Sequence, residues 1–156
     1  MMFDDLTLAR IIHSVAIIGW IGGLWFVTFV VMPAIRRESE PDNRLSAFHR
    51  IEAGFAPQAR LWVALAGASG FWMTARAGLW ARFADQHFWW MHAMLALWTI
   101  FALMLFVIEP LFLHKRMMMS ETPADDFRRM EWAHRLLSTL GLVTVAGAMG
   151  GAHGFF

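Results

Sequence analysis

From Ile11 to Ile35 the chain runs without one permanent charge, yet His13 stands inside that run. Phe88–Ile108 and Leu136–Phe156 repeat the pattern, and a weaker run covers about Ala56–Trp80, where the charge-free centre is only Leu61–Ala75. A helix needs about 20 predominantly apolar residues to cross a hydrocarbon core roughly 30 Å thick. The pattern therefore predicts an all-α, integral membrane four-helix bundle, one membrane domain over residues 1–156. Its spans are expected at about 7–35, 56–80, 87–113 and 130–153. The weaker span is counted because, without it, the next would cross in the opposite sense and separate loops of like charge.

Between the first two spans, Pro41-Asp42 precedes an apolar stripe, Leu45, Phe48, Ile51 and Phe55, with Arg44, His49, Arg50 and Glu52 around it. This predicts a helix over about 43–55 that lies at the interface or runs into the second span. Thr122 is placed to cap the last helix, Pro123 suits its first position, and Asp125 suits its electropositive first turn.

Charge sets the expected orientation. Arg36, Arg37, Arg44, Arg50 and Arg60 fall between spans one and two, and Lys115, Arg116, Arg128, Arg129 and Arg135 between spans three and four. Only Arg10, Arg76 and Arg82 fall on the other side. The positive-inside rule then puts both termini on the non-cytoplasmic side of a multi-pass protein of the bacterial inner (cytoplasmic) membrane. Asp4 and Asp5 occupy the place of a basic n-region, so the N-terminus reads as no cleavable signal.

Composition narrows the chemistry. The residues are 58% hydrophobic, which fits a chain embedded in lipid as its partner. The absence of cysteine excludes disulfides, iron–sulfur clusters, thiolate haem ligation and covalent haem attachment. The absence of tyrosine excludes phenolate ligands. No nucleophile–base pair, phosphate loop or basic patch is legible, and no nucleic-acid partner is expected.

An ionisable residue inside a span is a functional candidate by default. His13, His87, His92 and His153 fall toward the outer side, and His49, His114 and His134 toward the cytoplasm. His92 and His114 stand about six helical turns apart, roughly 33 Å, so one serves each membrane surface. His13 and His92, each a turn or two into its helix, are placed to ligate one iron or copper from two helices. The plainer alternative is that each hydrogen-bonds a backbone carbonyl. His87 and His153 read as interfacial, and as further candidate metal ligands.

The inner candidate site is weaker. Glu131 and His134 form an E-x-x-H pair, His49 and Glu52 reverse it, and Glu109 precedes Pro110, with His114 beyond. Such pairs occur at di-iron carboxylate sites, but pairing of Glu109 with an arginine or His134 is the better expectation. Met117-Met118-Met119 offers thioethers suited to Cu(I), or simply rests on the membrane surface. Glycines recur as Gly19, Gly22 and Gly23, as Gly67 and Gly70, and as Gly141, Gly147, Gly150 and Gly151. They predict close helix contact through small residues, or else room for a porphyrin plate. Trp20, Trp25, Trp72 and Trp98 lie deep, as packing or as walls of a flat cofactor.

The segment HSVAIIGWIGGLWFVTFVVMPAIRR resembles the first helix of the copper-resistance protein D (CopD) family and of the related bacterial membrane protoporphyrinogen oxidases. PQARLWVALAGASGFWMTA and FWWMHAMLALWTIFALMLFV resemble the second and third helices, so the likeness covers roughly residues 7–114. It implies a four-helix membrane unit that binds copper or haem b through His13 and helix three, with Trp20 and Gly23 in the most specific part of the motif. The oxidases carry a lysine where this chain reads Trp90-Met91-His92-Ala93-Met94. Since methionine also ligates haem iron, His13 with Met94 is an alternative to His13 with His92.

The leading expectation is a haem-b membrane protein for electron transfer or redox catalysis, exchanging electrons with a quinone or a redox protein. The alternatives are a copper-binding or copper-transporting protein through His13, His92 and His153, and a cofactor-free accessory subunit of a homo- or hetero-oligomeric membrane complex.

Overall fold

The computed structural model describes residues 4–113 and 120–155, and these are helical nearly throughout, with no strand among them. Asp4 caps the first helix by accepting from the Leu6 amide at 3.1 Å. Helix α1 (Asp5–Phe26) passes through a π-helical stretch, Val27–Val31, into α2 (Met32–Glu38), so Asp5–Glu38 is one continuous rod. Pro33 explains the wider winding: its ring crowds the carbonyl four residues back, at Phe29, and it has no N–H to give.

After a 3-10 turn at Pro41–Asn43 comes α3 (Arg44–Arg76), 33 residues in one piece through Pro57. The amphipathic stripe at 43–55 thus runs straight on into the second apolar run. Gly78, in the left-handed conformation with φ 64°, closes α3. Two short 3-10 turns then lead into α4 (Trp89–Leu103), which winds on as a π-helix over Met104–Leu113. A π-helix pairs each N–H with the carbonyl five residues back, which for Pro110 is Leu105. Proline cannot donate, and the Leu105 carbonyl accepts from Arg60 Nε at 3.1 Å instead. The last helix, α5 (Pro123–Ala152), starts after Thr122 with Asp125 and Asp126 in its first turn, as expected, though Thr122 caps it without a side-chain bond.

Three segments are long and apolar enough to cross a membrane: Asp5–Glu38, Gln86–Glu109 and Pro123–Ala152. They match the first, third and fourth expected spans. Helix α3 is longer than any bilayer core, but its uncharged centre between Arg60 and Arg76 covers only roughly 22 Å.

Contacts along their lengths fix how the helices run. Asp5 meets Arg76 at one end of α1, and Gly23 meets Phe55 near the other, so α1 and α3 are antiparallel. Trp98 bonds the Val63 carbonyl at 2.9 Å while Arg60 reaches Glu109, so α4 is antiparallel to α3 and parallel to α1. Helix α5 returns beside both, through Trp89 on Gly147 and through Thr28 Oγ1 and Ser138 Oγ at 2.7 Å. The core where they meet holds Ala16, Trp20, Ile21, Val63, Ala66 and Leu97.

The glycines are recesses that rings from neighbouring helices fill. Trp62 lies on Gly19, Phe55 on Gly23, Trp98 on Gly67, Trp89 on Gly147 and Trp90 on Gly151. A Cβ at Gly67 would stand 2.5 Å from Trp98 Nε1. Gly67→Ala should therefore displace that indole and break its bond to Val63, at a cost of about 2–3 kcal/mol. Gly22 faces open space within 4 Å, so Gly22→Ala should be neutral or stabilising by up to about 1 kcal/mol. Thermal unfolding in detergent compares the two. Equal melting temperatures would show that the ring does not seat in the recess.

Candidate functional site

The histidines of the first, third and fourth spans have different partners. His13 lies against α3: its Nδ1 is 3.0 Å from the Ala66 carbonyl and 3.1 Å from Ser69 Oγ. The Ser69 hydroxyl is itself turned back toward the Leu65 and Ala66 carbonyls. The arrangement holds the Nδ1–H tautomer, with Nδ1 donating to Ala66, and leaves the Nε2 lone pair uncommitted among the described residues. Gly70 makes the close seat possible, since a Cβ there would stand 3.2 Å from His13 Cε1. A metal-ligating histidine is commonly held in this way, by a carbonyl on its other nitrogen.

His92 is committed differently. Its Nε2 lies 2.9 Å from the Phe83 carbonyl and its Nδ1 3.3 Å from that of Phe88, and the ring is exposed against Phe83. His87 is exposed and packs edge-on to Phe88 and Trp90. His153, also exposed, is 2.8 Å from the Met149 carbonyl. Register singles out another residue. Trp20 and Phe101 meet edge-to-face, 5.1 Å between centroids. Two turns toward the N-termini of these parallel helices lead to His13 on α1 and Met94 on α4, each within about 20° of the face it started from. Met94 is half-buried there, and His92 lies about half a turn beyond it.

The inner residues are gathered, but as ion pairs. Glu131, with 4% of its side chain exposed, takes Arg36 at 2.6 Å on one oxygen and Arg135 at 2.7 Å on the other. Glu109 pairs with Arg60 at 3.0 Å, as anticipated for that carboxylate. His49 Nδ1 lies 3.1 Å from Glu52, and His134 Nδ1 lies 3.0 Å from the Met130 carbonyl. No three His, Asp or Glu side chains among the described residues are grouped to hold a metal ion. His114 and Met117-Met118-Met119 lie outside the described residues.

Beside these residues is a cavity of about 80 Å³. Trp20, Phe48, Phe55 and Phe101 are among its walls, and Glu52 and His134 supply polar edges. Partial burial, and then the negative charge of Glu109, push the Glu52 carboxyl up to about 7. Gly23 does not open onto a cofactor-sized space, because Phe55 occupies its recess. Trp20 and Glu52 stand 32 positions apart in the sequence, and only the fold brings them to one cavity. The Ala66–Ser69–Gly70 seat of His13 went unread, its only signal being three small residues spaced along one helix face.

The chain matches no protein-family model, no curated protein and no solved structure.

The donors can be tested against a haem. His13 would suit a ligand to the haem iron by its tautomer and its held ring, and Met94 would offer a second donor type from α4. Both nitrogens of His92 lie toward backbone carbonyls, and a neutral ring donates to one of the two. The glycine recesses do not fit as a porphyrin slot, because rings fill them.

Proposed function

We propose that this chain is a multi-pass protein of a bacterial cytoplasmic membrane that binds haem b through His13 and serves electron transfer or redox catalysis. In this reading all four long helices cross, α3 included, with both termini outside and the arginine-rich connections in the cytoplasm. Arg60 and Arg76 then stand near the two surfaces, where long side chains reach water from helix ends. The likeness of residues 7–114 to the CopD family and the membrane protoporphyrinogen oxidases supports the same assignment.

The observation that carries it is the posture of His13. An ionisable ring inside an apolar span is seated on a glycine, anchored through Nδ1, and has Nε2 left over. The bound group would supply a one-electron couple in a low-dielectric site. The chain's own residues divide the remaining work. Ala66 and Ser69 orient the imidazole, Met94 offers the second donor, and Trp20 with Phe101 closes the helix core beneath them.

The test is an absorption spectrum of the detergent-purified protein, oxidised and then dithionite-reduced, with metal analysis of the same sample. The expected result is a Soret band and a sharpened α-band on reduction, with about one iron per chain. A colourless protein carrying stoichiometric copper would transfer His13 to copper handling. A colourless, metal-free protein that keeps a partner through purification would make it an accessory subunit.

A further inference from the structure

The inner cavity lies on the far side of Trp20 and Phe101 from His13 and shares those two rings with that site. Trp20 is 5% exposed and lines it, and the indole Nε1–H has no hydrogen-bond partner among the described residues. A buried donor without an acceptor costs about 1–3 kcal/mol, and a water admitted from the cavity would relieve that cost. His134 supplies an acceptor edge: with Nδ1–H given to the Met130 carbonyl, Nε2 carries the lone pair. Glu52 supplies a carboxyl on the same wall system.

Size decides what fits. At about 80 Å³ the space is well short of the roughly 150 Å³ that takes a benzene ring. A quinone ring is excluded unless side chains move. Several waters fit, each needing on the order of 10–15 Å³ by the same kind of measure. Water also needs two to four polar partners, and a donor, an acceptor and a carboxyl provide them.

We propose that this cavity is a hydrated proton-exchange site, in which water bridges Trp20 Nε1–H, His134 Nε2 and the Glu52 carboxyl. The proton leaves the Glu52 carboxyl for a bridging water as that water passes one to His134 Nε2. The products are a carboxylate and an imidazolium, and the reverse transfer restores the start. Trp20 does not titrate; it positions the innermost water.

The charged groups around the pair favour exchange near neutral pH. On α3, His49 lies beside Glu52, and Arg60 is occupied by Glu109 of the π-helical stretch. On α5, Glu131 is neutralised by Arg135 and by Arg36 of α2. The residual field at Glu52 is that of Glu109, and it acts with burial to keep the proton on.

The experiment is infrared difference spectroscopy of the full chain in liposomes, stepped in pH. A protonated-carboxyl band should titrate at about 7, disappear in Glu52→Gln and persist in the exposed Glu38→Gln. Trp20→Phe keeps the ring but removes the N–H, and His134→Gln removes the base; each should shift the band and reduce the water O–H signal coupled to it. A carboxyl titrating only in the ordinary range, or a band indifferent to both cavity variants, would overturn the proposal. The wild-type water signal decides the matter even if one variant fails to fold. The measurement does not use the haem. A colourless protein with this band removes the functional reading and keeps the proton site, and a haem-bearing protein without it does the reverse.

Discussion

Stripped of both its arginines, Glu131 should destabilise the protein by about 3–5 kcal/mol, the cost of leaving a carboxylate buried without a partner. The geometry makes the effect strongly non-additive. Glu131 has 4% of its side chain exposed, whereas Arg36 and Arg135 have 47% and 53%. Either arginine alone still neutralises the carboxylate, through one oxygen each, so Arg36→Ala or Arg135→Ala should cost only about 1–2 kcal/mol. The double variant removes the last counter-charge and should exceed the sum of the singles. Glu131→Gln runs the other way: the two half-exposed arginines turn to water, and the loss should stay near that of one arginine. Denaturation in detergent of the three arginine variants and Glu131→Gln gives the comparison. Small, additive losses would mean that water reaches the carboxylate.

That cluster also shows what could be read from the sequence and what could not. The apolar runs disclosed the three helices that are long and apolar enough to cross a membrane, because a charge in hydrocarbon is costly enough to leave a visible gap in the pattern. For the same reason Glu109 is expected to pair with an arginine or His134; the fold supplies Arg60, which also reaches the Leu105 carbonyl that Pro110 leaves open. Glu131 was read beside His134 as a possible metal pair. Its two arginines come from the same helix and from α2, and only the fold brings Arg36 there.

Rotation of each helix about its axis was the least legible quantity. In water, an apolar stripe marks the buried face. In lipid the exposed face is apolar too: Ile18 is 72% exposed while Ile21, three positions on, is 5% exposed. The glycines predict close contacts, and rings do lie on them, but a missing side chain does not say which ring will fill the recess. His13 was legible as an anomaly within its span. Its seat on Ala66, Ser69 and Gly70 was not, because small residues carry no sign of what rests on them.

The largest functional effect is expected at His13. His13→Ala should abolish the Soret band of the purified protein, since it removes an imidazole that lies inside an apolar span with its Nδ1 anchored across to α3 and its Nε2 uncommitted among the described residues. Met94→Ala should leave haem bound but alter the reduced spectrum, by withdrawing the second donor while the stronger imidazole ligand stays. His92→Ala should leave the spectrum as it is, because that ring lies toward the Phe83 and Phe88 carbonyls, about half a turn away from Met94. Ser69→Ala provides a graded check: it should shift the spectrum slightly without losing haem, as the hydroxyl beside Nδ1 steadies the ring but is not its main acceptor. Loss of haem in His92→Ala with retention in Met94→Ala would reverse the pairing and require α4 to turn toward α1 in the loaded protein. Retention in His13→Ala would remove the ring from ligation altogether and leave its bonds to α3 as helix packing.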